Sequence, residues 1–251
     1  MAMIEQATGI DVAVIDSGSN EHGLTARTKD GARTFIVVAR THHPMRQRST
    51  LAHELGHVVF NDWQTMDESS LSERSDREVR ADAFARHLLL PHDGVRQLLG
   101  NVARLMEADL SRIVQLFGAS PAMAAIALEQ YGYIDEAQKR EWKALSTPQL
   151  ATRHGWMDYY RTLQDDANRR RAPQRLLSRA VSGYAEGVIR AQTIATLRGV
   201  SAAMVEEELR DAGVTPSPPR PRLTSAEELP VVDVDLSLLD GLDDEEPNRA
   251  S

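Results

Sequence analysis

Thr50-Leu51-Ala52-His53-Glu54-Leu55-Gly56-His57-Val58-Val59-Phe60 is the stretch on which the fold of this chain turns. Residues 46–55 hold neither Gly nor Pro, so the whole segment reads as one helix with Gly56 as its weakest point. At 3.6 residues per turn, His53 and His57 lie about 40° apart around the axis and share a face. Two imidazoles so placed can reach one metal ion. Glu54, roughly a quarter turn round, can meet a water on that ion. This is the HExxH arrangement of metal-assisted hydrolysis.

A hydrolytic site of this kind takes three protein ligands and leaves a further position for water or substrate. The 251 residues contain no Cys, so the third ligand has to be His, Asp or Glu. Asp62, Asp67, Glu68, Glu73, Asp76, Glu78 and Asp82 follow the motif, most of them in a polar, Ser-rich stretch, 61–76, that reads as a loop. Glu78 and Asp82 instead open a helix over 77–90 that Pro91 stops. Its Ala81, Phe84, Ala85, Leu88 stripe has helical period and calls for burial against the first helix. We assign Glu78 as the third ligand and Asp82 as the carboxylate that accepts the outer N–H of a ligating imidazole. Asp82 as the direct ligand is the second choice. His87 is a poor candidate, because nine residues from Glu78 carry it about 180° round the same helix.

Residues 47–57, followed by Glu78-x-x-Ala81-Asp82-x-Phe84-Ala85-x-x-Leu88-Leu89-x-Pro91, resemble the ImmA/IrrE family of zinc metallopeptidases, with the likeness covering roughly residues 10–135. The spacing of Glu78 and Asp82 is also similar to that of thermolysin-like enzymes, in which the third ligand is a Glu with an acid four residues on. Arg80 stands where family members often carry Glu, and Asp82 where they often carry Asn. The resemblance implies a zinc metalloendopeptidase, gluzincin-like, with Glu54 catalytic and one Zn²⁺ on His53, His57 and Glu78; Mn²⁺ and Fe²⁺ stay open as the native ion. It further implies a protein substrate, a DNA-binding helix–turn–helix repressor of a mobile element or stress response. Two other readings stand beside it. One is a repressor- or antitoxin-binding module with a structural metal, the other a toxin or effector protease with broader targets.

The rest of the chain sets the frame. Residues 11–16, 23–27 and 34–40 alternate or run apolar with β-branched residues, broken at Ser17-Gly18-Ser19-Asn20 and Lys29-Asp30-Gly31. They predict a small antiparallel sheet whose edge strand, beside a metal cleft, can pair with an extended peptide. Beyond Pro91 the sequence is helical almost throughout. The expected class is therefore α+β: a small antiparallel sheet packed on a zincin-like two-helix metal site, then a mostly helical region. Expected domains are 1–145 for the metallopeptidase, 146–213 for helices with a helix–turn–helix-like hairpin, and 214–251 for a Pro-rich linker and acidic, disordered tail.

That hairpin falls on Gln192–Leu209, but Glu206, Glu207 and Glu208 on its second helix would repel phosphates, so no direct nucleic-acid binding is expected. The run Asn168-Arg169-Arg170-Arg171 lacks interleaved aromatics and reads as a solvated helix end or an interhelical loop. Residues 225–251 hold nine acids against Arg249 and so carry the whole net charge of −8, leaving the body neutral. Within the tail, residues 232–238 alternate strictly and could add to a sheet edge. The opening residues lack a signal-peptide pattern, no apolar run reaches membrane-span length, and Cys is absent, so a cytoplasmic protein without disulfides is expected. Tyr131, Tyr133, His87 and His92 are candidates to assist an oxyanion.

Overall fold

In the computed structural model, residues 1–16, 23–63, 76–100 and 102–218 are described. The break at Ser17–Asn20, nearly all of the Ser-rich stretch before Asp76, and the acidic tail with its alternating segment lie outside them. A short helix, α1 (Ala2–Thr8), leads into strands β1 (Asp11–Ile15), β2 (Gly23–Arg27) and β3 (Thr34–Ala39). The three form one sheet in the order β1-β3-β2.

The class is α+β as expected, but the sheet is mixed rather than antiparallel. β2 and β3 pair antiparallel across the tight turn at 28–33, whereas β1 pairs parallel with β3. The physical reason is burial. Phe35-Ile36-Val37-Val38 makes β3 the most apolar strand, and it takes the centre with Ile36 and Val38 fully buried. β1 and β2 are left on opposite edges.

The β1 edge is covered. Val14 and Arg171 exchange backbone hydrogen bonds of 2.8 and 3.0 Å, forming an isolated antiparallel bridge. Arg170 and Arg40 both pair with Asp16, and Arg171 pairs with Asp166. The basic run thus sits in the connection between two helices and fastens it to the sheet. The β2 edge pairs with no further strand among the described residues.

Helix α2 (Pro44–Phe60) follows β3 directly, with Pro44 pre-set for a first helical position. Its Leu51 and Leu55 complete a core with Ile10, Val12, Val14, Ile36 and Val38 of the sheet. Gln47 is buried and donates from Nε2 to the Ala39 carbonyl at 2.9 Å and to the Ala167 carbonyl at 2.8 Å. One side chain therefore ties α2 both to the end of β3 and to the distant helical half.

Helix α3 (Asp76–Leu89) packs across α2. The contact is close because small residues meet: a Cβ built on Gly56 would lie 3.2 Å from both the Ala81 Cα and the Phe84 ring. Ala81 and Ala85 are buried and Phe84 is partly buried, as their stripe required, but Leu88 at the end of the stripe is 48% exposed.

The remaining helices are α4 (His92–Leu99), α5 (Glu107–Phe117), α6 (Pro121–Gln130), α7 (Glu136–Lys143), α8 (Thr147–Arg153), α9 (Met157–Ala167), α10 (Gln174–Ala185), α11 (Ala191–Arg198) and α12 (Ala202–Asp211). α5 and α6 meet at 109°, a helix–turn–helix angle, with Gly118 in the left-handed region and Ser120 capping α6. Their Leu110, Ile113, Val114, Ala124 and Leu128 form a second core with Leu90, Leu150 and Tyr160. Within it the Trp156 indole donates to the Ser111 hydroxyl at 2.9 Å, so neither buried polar atom is left unpaired. α10, α11 and α12 enclose a third, small core, where Arg198 and Glu208 pair across the hairpin.

The α2–α3 contact sets the position of everything that follows. Gly56→Val is expected to force the helices apart and cost about 1–3 kcal/mol of stability, as overpacked cores do. Urea denaturation of the metal-free protein checks this; an unchanged midpoint would mean the crossing has room to spare.

Candidate metal centre

The α2–α3 crossing brings three side chains to one point. His53 and His57 project from the same face of α2 with their rings edge to face, centroids 4.7 Å apart. Their Nε2 atoms are 3.0 Å from each other. From α3, Glu78 sets Oε2 3.1 Å from His53 Nε2 and Oε1 3.4 Å from His57 Nε2. Ligand atoms of His53, His57 and Glu78 all fall within 4.8 Å of one another, so the group could hold a metal ion. Two imidazole nitrogens and one carboxylate oxygen are a donor set that suits a borderline divalent ion such as Zn²⁺.

Asp82, one turn after Glu78, approaches from outside this cluster. Its Oδ1 lies 2.9 Å from His53 Nδ1, the ring nitrogen away from Glu78. A proton on Nδ1 donated to that carboxylate leaves the Nε2 lone pair free to bind metal and fixes the ring's orientation. Asp82 thus touches His53 on the side opposite the point where the three ligand atoms meet.

Glu54 occupies the neighbouring face of α2 and is buried against β2. The Thr25 hydroxyl donates to its Oε2 at 2.6 Å and also lies 3.2 Å from its backbone carbonyl. Gly23 clears the space: a Cβ there would stand 2.6 Å from Glu54 Oε1 and 2.6 Å from the Thr50 methyl. The edge strand therefore holds the Glu54 carboxylate by one donated bond and by leaving room for it. Sequence reasoning missed both residues, since Thr25 and Gly23 carry no motif. Only the approach of β2 to α2 gives them a role.

Tyr131, His87 and His92 form a group of their own. The Tyr131 ring lies 4.7 Å from that of His92, and its hydroxyl donates to the Leu90 carbonyl at 2.7 Å with His87 Nδ1 at 3.4 Å. Burial pushes the Tyr131 phenol up, so it stays protonated and donating at neutral pH. Tyr133 packs at the margin of the helical core.

Residues 5–129 match the IrrE N-terminal-like domain of the peptidase M78 family, a span that contains α2, α3 and all three ligand side chains. The chain is an ImmA/IrrE family protein. It carries a metallopeptidase-like domain, and the His53–His57–Glu78 group lies inside that domain. No curated protein matches the chain significantly. Among the described residues no single helix is long and apolar enough to cross a membrane, and the one bent pair that passes in sum, α5 with α6, supplies the helical core.

The geometry separates ligand from neighbour in a measurable way. Glu78→Ala is expected to abolish stoichiometric Zn²⁺ binding, whereas Asp82→Ala should keep the ion with affinity reduced about 10–100-fold. Metal content after dialysis decides between them. A full equivalent of zinc in Glu78→Ala would move the third ligand to Asp82.

Proposed function

We propose that this ImmA/IrrE protein is a zinc-dependent regulatory endopeptidase whose substrate is a helix–turn–helix transcriptional repressor of a mobile element or stress response. The observation that carries the reading is the convergence of His53, His57 and Glu78 with Glu54 fixed on the adjoining face of the same helix. A structural metal needs only the three ligands. A buried carboxylate, oriented by Thr25 and reached by no cation within ion-pairing distance among the described residues, is what proton transfer needs.

A zinc ion held there would supply Lewis acidity, which lowers the pKa of water towards neutrality and stabilises a developing oxyanion. His53 and His57 would hold it through their Nε2 lone pairs. The Glu78 carboxylate would be the one anionic ligand, offsetting part of the ion's charge. Glu54 takes one proton from the attacking water as the oxygen adds to the peptide carbonyl. It then gives that proton to the nitrogen of the breaking C–N bond, so the products are a carboxylic acid and an amine.

The β2 edge, unpaired beyond β3 among the described residues, offers backbone donors and acceptors to an extended peptide. Since Gly23 and Thr25 of that strand also hold Glu54, a peptide lying along β2 would be brought beside the base.

Glu54→Gln should retain zinc and fold but lose peptide hydrolysis by at least about 10²-fold. Comparing new protein N-termini in cells expressing wild type or Glu54→Gln tests both activity and target. A few sites unique to wild type, within one repressor, support the reading; many unrelated sites favour a toxin. No difference between the two, with both proteins zinc-loaded, favours a binding module. Gly23→Ala, measured on any peptide the wild type cleaves, is expected to lower kcat while leaving zinc affinity intact, because its Cβ displaces Glu54 and not a ligand.

A further inference from the structure

The two ligand histidines are served differently. His53 Nδ1 has Asp82 at hydrogen-bond distance, but His57 Nδ1 is buried and lacks a hydrogen-bond partner among the described residues. A second buried atom without a partner, Asp62 Oδ2, faces it 3.9 Å away. Two such atoms, one able to donate and the other to accept, are each costly to leave unpaired. Their juxtaposition is a bond one short movement from closing.

The backbone shows why Asp62 is there. α2 ends with Asn61 in the left-handed region, φ 59°, a conformation Asn tolerates better than most residues. The Asn61 N–H donates to the Val58 carbonyl at 3.1 Å, and the Asp62 N–H to the His57 carbonyl at 2.8 Å. This Schellman pattern folds the chain back, so that Asp62 hydrogen-bonds the backbone of the residue whose ring it faces. Its side chain is only 8% exposed.

Arg80 of α3 completes the arrangement. Its guanidinium donates to Asp62 Oδ1 at 2.5 Å and lies 4.7 Å over the Phe60 ring. One carboxylate oxygen is thereby engaged by Arg80, and the other is left turned to His57. The ion pair also joins the end of α2 to the helix that carries Glu78.

We propose that Asp62 is a positioning residue for the metal site: it accepts the Nδ1–H of His57 when Nε2 binds the ion, and Arg80 holds it in place. The inference rests on the metal reading above. His53 with Asp82 and His57 with Asp62 would then form a matched pair, each imidazole fixed by one carboxylate from outside the ligand cluster. A rotation of the His57 ring or the Asp62 carboxyl closes the remaining gap.

The test uses the full chain and Zn²⁺ itself, titrated against a chelator. Asp62→Ala should weaken zinc binding about 10–100-fold, and Asp62→Asn, which keeps an acceptor oxygen but not the charge, should fall between. Arg80→Ala should weaken it less than Asp62→Ala. In zinc-loaded protein labelled with ¹⁵N-histidine, a slowly exchanging Nδ1–H resonance of His57 should be present in wild type and lost in Asp62→Ala, a change that a purely structural role would not produce. Zinc affinities of Asp62→Asn and Asp62→Ala within twofold of wild type would overturn the assignment of Asp62 alone. A wild-type chain that binds no zinc would overturn the metal reading and this inference with it.

Discussion

The close crossing of α2 and α3 is the constraint on which the site depends. His53 and His57 are only half of a ligand set, and Glu78 stands on another helix, beyond a long polar segment. What joins them is the approach permitted by Gly56 against Ala81 and Phe84. A side chain at residue 56 would separate the helices, and the Glu78 oxygens would leave the 3.1 and 3.4 Å positions they hold beside the two Nε2 atoms. Glycine near the middle of a helix costs about 1 kcal/mol in helix propensity. Here it falls one residue before a ligand, on the side of α2 that α3 covers, and the closer packing is its compensation.

Around that crossing the molecule is buttressed from both sides. The sheet supports the underside of α2 through Leu51 and Leu55, and β2 reaches far enough to hold Glu54. The helical half supports the other end through Gln47, whose amide spans from β3 to the end of α9. The arginine run contributes in the same sense. Its backbone covers the β1 edge, and its side chains meet Asp16 and Asp166. Arg170 and Arg171 are ion-paired within the molecule, where they hold the helical connection to the sheet. With β1 covered, β2 is the edge with no further strand among the described residues, and it is the edge beside the base.

Much of the architecture was legible in the sequence because it follows from local periodicity. The three strands fall where β-branched alternation placed them, and the second ligand helix ends at Leu89, two residues before Pro91. The pairing of β1 with β3 was not legible. Strand direction depends on which strand takes the centre, and that is settled by competition for burial among segments with similar patterns. Asp62 shows the same limit. In sequence it is one acid among several in a polar stretch, and only the left-handed Asn61 and the reach of Arg80 set it apart.

By itself, then, the sequence determined the chemistry and the elements that carry it: two imidazoles and a carboxylate on one helix, two carboxylates on the next, and a sheet before them. These are i,i+1 and i,i+4 relations, fixed by helix geometry before any tertiary contact forms. The tertiary structure decided which groups meet. It set Glu78 against both Nε2 atoms, turned Asp82 to the outer nitrogen of His53, and laid Gly23 and Thr25 against Glu54. Those meetings depend on how two helices and a strand pack, and packing is set by the volumes of residues far apart in the chain, which no local pattern encodes.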